Sequence, residues 1–303
     1  MNVRVCPDAD GRYSRTKLRT ALGEICHAAG LDPTGARLIR FVNNAVFQLL
    51  AHPVVVRIVL SPSLRYRADN VVRAARWLAE HDVPAVRLLP GLSQPLQVKG
   101  HVATLWQAVP ETGQATGMEL AQLLKRLHAL QEPPGHLLRW DPLADVRRRL
   151  ADAEELDAGD REFLENRCEE LAEQLARLDY HLPPGVIHGD AHVGNVISTP
   201  VGPLLCDLDS VCAGPREWDL TPLAVGKLRF RHTGDRYRQL SRAYGFDVTK
   251  WPGFPVLRQV RELKLTTGVL SILRSNPDVR PELAKRMHSF RSGDTRTRWT
   301  PHR

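Results

Sequence analysis

The sequence is poor in the features that mark secreted, disulfide-bonded and membrane proteins. Its five cysteines are scattered, odd in number and form no CxxC pair, which favours a reduced protein over a disulfide or zinc framework. No stretch of the 303 residues approaches the roughly 18 apolar residues of a membrane span. No apolar run follows the first charged residue, so no secretory signal is expected. These absences predict a cytoplasmic protein without a membrane partner.

The charge is not distributed as in a nucleic-acid-binding protein, although the formal net charge is +8 and the pI is near 9.5. Residues 1–110 carry a net +7, residues 111–200 a net −8, and residues 201–303 a net +9. Charge that changes sign twice forms separate patches, whereas a nucleic-acid backbone is followed by a continuous basic stripe. We therefore expect no nucleic-acid partner.

Strand-like and helix-like segments are concentrated in different parts of the chain. The predicted strands are residues 37–50, 53–59, 86–89, 94–98 and 101–106, followed later by short strands at 186–187, 196–198 and 204–206. The predicted helices are residues 14–29, 68–81, 118–130 and one or two helices within 143–178, with further helices after residue 217. The sequence therefore predicts an α+β fold with a β-rich N-lobe (1–109) and a mainly helical C-lobe (110–303).

One segment of the C-lobe carries polar side chains at spacings that suit phosphoryl transfer. His188 and Asp190 are followed by Asn195, five residues after the acid, and then by Asp207 at the end of an apolar strand. Phosphoryl transfer from a nucleotide needs one carboxylate near the acceptor hydroxyl and further oxygen ligands that hold Mg²⁺ on the phosphates. We predict that Asp190 is the catalytic base and that Asn195 and Asp207 are the Mg²⁺ ligands.

The spacing H-x-D-x-x-x-x-N is that of a protein-kinase catalytic loop, with Gly189 where kinases usually have Arg. In this form, followed by a strand that ends in an acid, the segment resembles the aminoglycoside phosphotransferase and choline kinase family of small-molecule kinases. The resemblance implies a bilobal protein-kinase-like fold, with ATP or GTP bound between the lobes and a small-molecule phosphoryl acceptor. It also implies that His188 and Asp219 support the catalytic loop structurally.

The N-lobe resembles the family less closely. The family places a Lys, or sometimes an Arg, on the third strand against the nucleotide phosphates, and Arg57 takes that position here. Its usual partner, a Glu on the following helix, is absent. The helix offers only Asp69 or Asn70 in its place, so the partner of Arg57 stays open.

Two further nucleotide contacts are expected in the N-lobe. No glycine-rich phosphate loop is present, and Asn43 and Asn44 occupy the turn between the first two strands, where an amide could bind phosphate. The segment around Gln107 and Val109 takes the place of the interlobe hinge, so the backbone of these two residues is expected to bind the nucleotide base.

The acceptor is expected on the C-lobe, and the sequence does not name it. An acidic stretch there suits a cationic acceptor such as an aminoglycoside, the family default, although a solvated helix face accounts for most of its acids. These acids are Asp152, Glu154, Glu155, Asp157 and Asp160. Asp209 and Glu262 are the candidate acceptor-side residues, and a solvated acid is an equal interpretation of Asp209.

Two other classes of function remain open at this point. A nucleotide-binding pseudokinase or regulatory module is favoured by Arg57 and by the missing helix Glu. A metal-dependent hydrolase would use His188, Asp190 and His192 as ligands, although such a site needs further His and acid ligands at defined spacings. The choice between ATP and GTP and the oligomeric state also stay open.

Overall fold

The computed structural model describes residues 14–41, 44–60, 62–131, 137–230 and 235–301. The helices are α1 (Arg15–Ala29), α2 (Arg67–Glu80), α3 (Gly117–His128), α4 (Pro142–Ala151), α5 (Ala158–Ala176), α6 (Glu217–Arg229), α7 (Arg236–Tyr244), α8 (Phe254–Thr267) and α9 (Arg280–Arg291). The strands are β1 (Arg37–Phe41), β2 (Asn44–Gln48), β3 (Val54–Val59), β4 (Leu96–Val98), β5 (His101–Gln107), β6 (Leu138–Arg139), β7 (Gly185–Ile187), β8 (Val196–Thr199), β9 (Gly202–Leu205) and β10 (Cys212–Gly214).

The N-lobe is an antiparallel sheet in the order β1-β2-β3-β5-β4, with α1 packed against β4 and β5. Helix α1 begins where the Ser14 hydroxyl accepts a hydrogen bond from the Lys17 N–H and ends at Gly30, whose φ of 67° is left-handed. Strand β3 pairs on both sides, so Arg57 is held in register between Val46 of β2 and Thr104 of β5. The central strand of the sheet therefore carries the predicted phosphate-binding arginine.

The C-lobe packs its helices around α8, which contacts α4, α5, α6 and α9. Helix α3 starts with a capping box between Thr116 and Glu119, in agreement with the predicted helix over 118–130. A small sheet in the order β6-β10-β7 and the hairpin β8-β9 complete this lobe. Strand β7 runs directly into the loop that contains Asp190, and β9 ends two residues before Asp207. The predicted β-rich N-lobe and helical C-lobe are confirmed.

The connection between α2 and β4 differs from the sequence expectation. The predicted strand over 86–89 is wrong, because the backbone hydrogen bonds of this segment go to two different strands, β9 and β5, instead of forming one continuous ladder. Leu205 N–H donates to the Pro84 carbonyl and Val86 N–H donates to the Leu205 carbonyl, both at 2.9 Å, whereas Leu89 N–H donates to the Leu105 carbonyl at 2.8 Å. The segment thereby joins β9 of the C-lobe to β5 of the N-lobe, close to Asp207.

The region 143–178 forms two helices, one of the two arrangements that the sequence allowed. Asp157 begins the second, α5, because its side chain accepts hydrogen bonds from the N–H groups of Gly159 and Asp160 at 2.8 and 3.2 Å. In the described part of the chain, no helix combines the length and the apolar character needed to cross a membrane.

Candidate active site

Asp219 anchors the loop that contains Asp190. This fully buried carboxylate accepts the backbone N–H groups of His188 at 2.6 Å and Gly189 at 2.8 Å, and it lies 3.0 Å from Nε2 of His128. Trp218, the residue before it, donates its indole N–H to the Gly189 carbonyl at 2.8 Å. Charge-assisted bonds of this kind are among the stronger ones in proteins. Asp219 thus lies where the resemblance places a loop-supporting acid.

Gly189 is required by the shape of the loop. Its φ of 79° is left-handed, and a Cβ built there would lie 2.1 Å from the Ser210 carbonyl oxygen. The neighbouring imidazole of His188 is fully buried, with Nε2 2.9 Å from the Cys206 carbonyl and Nδ1 accepting the Asp190 N–H at 3.3 Å. Because a carbonyl only accepts, the proton belongs on Nε2. His188 therefore braces the loop through both nitrogens.

Asp190 projects from this loop as an ionised carboxylate. Its Oδ1 lies 2.5 Å from Nη1 of Arg261 on α8, and its Oδ2 lies 4.0 Å from Nε2 of His192. Burial by itself would raise the pKa of Asp190, but Arg261 first and then His192 and Lys264 outweigh burial and hold that pKa far below its usual range. The group is therefore charged at neutral pH, as an acceptor for a proton must be.

Asn195 presents a buried amide oxygen with no partner. Its Nδ2 donates to the Asp190 carbonyl at 2.9 Å, whereas Oδ1 has no hydrogen-bond partner among the described residues, although the side chain is only 1% exposed. A buried amide oxygen left without a partner is unfavourable unless something else binds it. An oxygen-seeking cation such as Mg²⁺ fits this atom.

His192 has a structural contact of its own. Its Nδ1 accepts the Gly194 N–H at 3.0 Å and so begins the short turn that carries Asn195. Burial lowers the pKa of His192 to about 4 despite the opposing charge of Asp190, so the ring is neutral at pH 7. The described residues contain no group of three or more His, Cys, Asp or Glu side chains arranged to hold a metal. The His–Asp–His cluster that a hydrolase would need is thus not formed among them.

Asp207 and Asp209 face two arginines of the N-lobe. Asp207 has a left-handed φ of 60° and receives Arg40 on Oδ2 at 2.7 Å and Arg57 on Oδ1 at 3.1 Å. Asp209 takes both terminal nitrogens of Arg57 in a bidentate pair. Burial would raise the pKa of Asp207, but Arg40 and Arg57 lower it below its usual value. The charge of Asp190 acts on Asp207 in the opposite direction, which places both carboxylates in one cleft.

These contacts supply the partner of Arg57 that the sequence left open. Asp209 and Asp207, from the C-lobe, take the place of an acid on α2. Asp69 is exposed, and the buried Asn70 instead donates to the Val211 carbonyl at 2.9 Å. Burial lowers the pKa of Arg57 to about 10, which leaves it charged at neutral pH.

The other predicted nucleotide-side residues are placed unequally. Asn44 reaches the site and donates to Asp209 at 3.3 Å, whereas Asn43 lies outside the described residues. At the hinge, the Gln107 N–H is already bonded to the Arg87 carbonyl at 2.9 Å, so it is not free to bind a base. Val109 is half-buried at the start of the crossing to the C-lobe.

Glu262 is not brought to the cleft. It is buried and takes Nε of Arg229 at 2.6 Å and Nε of Arg258 at 2.8 Å, on the far side of α8. Of its neighbours on α8, Arg261 contacts Asp190 and Lys264 contacts Asp145, and sequence reasoning missed both. The available signal was three basic residues spaced three apart, Arg258, Arg261 and Lys264, in a helix that also carries many apolar residues.

A comparison with known families identifies the family of the chain. The profile of the phosphotransferase enzyme family matches residues 39–262, most of the chain. The chain belongs to this family. No curated protein matches its sequence closely enough to count as a relative.

Solved structures show the same fold at low sequence identity. An amicoumacin kinase in complex with AMP-PNP and Ca²⁺ superposes with a TM-score of 0.64 at 13% identity, covering 94% of this chain and 97% of that chain. A choline/ethanolamine kinase family protein from Mesorhizobium loti has a TM-score of 0.57 at 20% identity, covering 91% and 93%. An aminoglycoside phosphotransferase from Streptomyces rimosus has a TM-score of 0.57 at 17% identity, covering 80% and 98%. The phosphotransferase thus has the kinase-like bilobal fold.

Proposed function

We propose that this phosphotransferase moves the γ-phosphoryl group of ATP or GTP to a hydroxyl of a small molecule in a Mg²⁺-dependent reaction. The observation that carries the proposal is the meeting of three groups in one cleft: the ionised Asp190, the unpartnered Oδ1 of Asn195, and Asp207. A general base beside two oxygen ligands is the arrangement that phosphoryl transfer requires.

Asp190 acts on the acceptor. Its carboxylate orients the acceptor hydroxyl and takes the hydroxyl proton as the new oxygen–phosphorus bond forms and the bond from the γ-phosphorus to the bridging oxygen breaks. The nucleoside diphosphate leaves with that oxygen. Asp219 and His188 keep the loop in place during this step, because their hydrogen bonds fix the backbone N–H of His188, just before the base, and of Asp190 itself.

Asn195 and Asp207 would hold Mg²⁺, which would neutralise charge on the phosphates when bound. The free amide oxygen of Asn195 suits this ligand. Asp207 would exchange its arginine partners for the ion, since its two oxygens are bound by Arg40 and Arg57.

Arg57 and Arg40 are the phosphate-side cations in this proposal. Arg57 is buried on the central strand and fixed by Asp209, so its position is set before nucleotide binds. Arg40 is 48% exposed at its side chain and reaches Asp207 from β1. The two guanidiniums can therefore cover the phosphates where the chain lacks a glycine-rich loop.

The deciding experiment is a phosphate-transfer screen with radiolabelled ATP and GTP over amine, sugar, nucleoside and macrolide acceptors. We expect Mg²⁺-dependent transfer by the wild-type protein and a loss of about 10²–10⁴-fold in Asp190→Asn, the usual contribution of a general base. Titration with Mg·AMP-PNP should give the same affinity for both proteins. Asp160→Asn, a surface acid paired with Arg291, serves as the control and should keep full activity.

Other outcomes separate the rival functions. A protein that binds Mg·AMP-PNP but transfers phosphate to no acceptor, with no effect of Asp190→Asn on nucleotide turnover, is a pseudokinase. Stoichiometric zinc in the purified protein together with hydrolytic activity that depends on His192 would identify a hydrolase. Phosphorylation of Ser or Thr peptides alone would remove the small-molecule assignment.

A further inference from the structure

Helix α8 presents opposite charges on its two sides. Toward the catalytic loop, Arg261 lies 2.5 Å from Asp190, and Lys264, three residues later on the same face, lies 3.0 Å from Asp145 of α4. On the other side Glu262 is paired with Arg229. Neighbouring residues of a helix point about 100° apart, so Arg261 and Glu262 face different sides of α8.

Two more cations lie against the basic side. Arg67 of α2 contacts the Asp145 carboxylate, and Arg149 of α4 donates to the Lys264 carbonyl at 3.0 Å. We call Arg67, Arg149, Arg261 and Lys264, together with Asp145 and Asp190, the cationic cluster. Among the described residues it sets four cations against two carboxylates. The members contributed by α4 and α8 are more than nine-tenths buried.

The crowding of positive charge is visible in the electrostatics of the cationic cluster. Burial lowers the pKa of Lys264, Asp145 acts against it, and Arg67 and Arg149 lower that pKa further. Burial also lowers the pKa of Arg149 against the opposing charge of Asp145, with Arg67 and Arg261 acting in the same direction as burial. Perturbed groups gathered in a cleft are typical of functional sites.

Asp219, the acid on the other side of the catalytic loop, does not offset this excess. Its oxygens already accept the His188 and Gly189 N–H groups and face His128. Four of the five acids in the acidic stretch that a cationic acceptor would need are also engaged elsewhere. Their pairs are Asp152 with Ser63, Glu155 with Arg280, Asp157 with the start of α5, and Asp160 with Arg291.

We propose that the phosphoryl acceptor carries an anionic group, a carboxylate or a phosphate, which binds to Arg261 and Lys264 beside Asp190. This inference rests on the proposed transfer function and specifies its substrate class. It replaces the aminoglycoside-like default, because an amine would meet the cationic cluster and be repelled.

Arg261 can hold the base and the acceptor together. A guanidinium has five N–H donors in a planar fork, and Nη1 is the atom of Arg261 that lies 2.5 Å from Asp190. Its Nε is buried without a hydrogen-bond partner among the described residues. An acceptor anion bound to the remaining donors would place the hydroxyl of the same molecule close to the carboxylate that takes its proton.

The first test is a set of matched acceptors on one scaffold, assayed for transfer with Mg·ATP and Mg·GTP. Glucose is neutral, glucosamine cationic, glucuronate a carboxylate and glucose 6-phosphate a phosphate, and the same series is made on serinol, serine and phosphoserinol-type scaffolds. We expect at least about tenfold higher kcat/KM for anionic members, the size of one charge-assisted contact. Preference for neutral or cationic members overturns the inference.

The second test measures binding rather than turnover, with nucleotide already in place. Trp218 lies 5.7 Å from the Lys264 ammonium, so tryptophan fluorescence reports a ligand that binds there. Glucuronate and glucose 6-phosphate are titrated into the Mg·AMP-PNP complex of the wild-type protein and its variants. Lys264→Met should weaken anion binding about tenfold, and Arg258→Met, whose guanidinium pairs with Glu262 instead, should not change it.

Asp145→Asn should change the affinity for the anion in the opposite direction from Lys264→Met. It removes a carboxylate from the cationic cluster, so anion binding should tighten, whereas loss of a merely structural ion pair would weaken it. Equal weakening in Asp145→Asn and Lys264→Met, or weaker Mg·AMP-PNP binding in both with unchanged anion affinity, overturns the inference. Anion binding without transfer to any acceptor contradicts the proposed function alone. Transfer to amines without anion binding contradicts this inference alone.

Discussion

The nucleotide side and the acceptor side of the cleft handle charge differently. On the nucleotide side two arginines, Arg40 and Arg57, are matched by two carboxylates, Asp207 and Asp209. On the acceptor side the cationic cluster has more cations than carboxylates. A balanced set can exchange partners when Mg²⁺ and phosphate enter together, since both signs of charge are supplied by the ligand. An unbalanced set calls for a ligand of one sign, so the proposals above assign different molecules to the two sides.

The largest effect is expected when the two carboxylates of the nucleotide side, Asp207 and Asp209, are neutralised one at a time. Asp207→Asn should lower Mg²⁺-dependent kcat/KM by about 10³-fold, because a metal ligand contributes several kcal/mol of charge stabilisation. Asp209→Asn, the matched control, loses only a support of Arg57 and should cost about 10-fold to 100-fold. Kinetics at a series of Mg²⁺ concentrations measure the difference. Equal losses with an unchanged Mg²⁺ dependence would show that Asp207 is not a metal ligand.

The loop motif carried most of what could be predicted about the nucleotide side. The spacing from Asp190 to Asn195 is local, and the loop geometry needs little beyond Gly189 and a supporting acid, so sequence alone located it. Arg40 was not predictable in the same way. It is an exposed strand residue, and its partner Asp207 lies 167 positions along the chain, a contact that only the packing of the two lobes creates.

The acceptor side shows where helical periodicity stops helping. Arg261, Glu262 and Lys264 are all buried, and α8 contacts helices on several sides. A helix buried all round has no single apolar stripe, so the pattern cannot say which polar residue faces the cleft. Glu262 and Arg261 differ by one position, yet under the proposal above this step reverses the expected charge of the acceptor.

Substitution of Arg57 should have a smaller effect, and this effect should be confined to the KM for the nucleotide. Arg57→Lys keeps the charge but loses the bidentate contact with Asp209, and Arg57→Ala loses both. We expect the KM for nucleotide to rise about tenfold in Arg57→Ala and by less in Arg57→Lys, consistent with loss of a charge-assisted hydrogen bond. Initial rates at varied nucleotide and fixed acceptor measure it. A comparable rise in the acceptor KM would mean that the two sides of the cleft are not separate.

The smallest effect is a shift of the pH profile, which tests how Arg261 acts on Asp190. In the wild-type protein Asp190 has a pKa far below its usual range, chiefly because Arg261 outweighs burial, and His192 has a pKa of about 4. Neither group changes charge between about pH 5 and 7, so kcat/KM should be flat on the acidic side in that range.

Arg261→Met removes the cation, and burial then raises the pKa of Asp190, because desolvation disfavours its charged form. The base becomes partly protonated as the pH falls, so the acid limb of kcat/KM should move upward into the measured range, while activity near pH 8 is lost to a smaller extent. His192→Asn is the matched control, because a ring that is neutral in this pH range produces no acid limb in the kcat/KM profile. An acid limb that stays in place in Arg261→Met would show that Arg261 serves the acceptor without tuning the base. A limb that moves in His192→Asn would assign the tuning to the histidine instead.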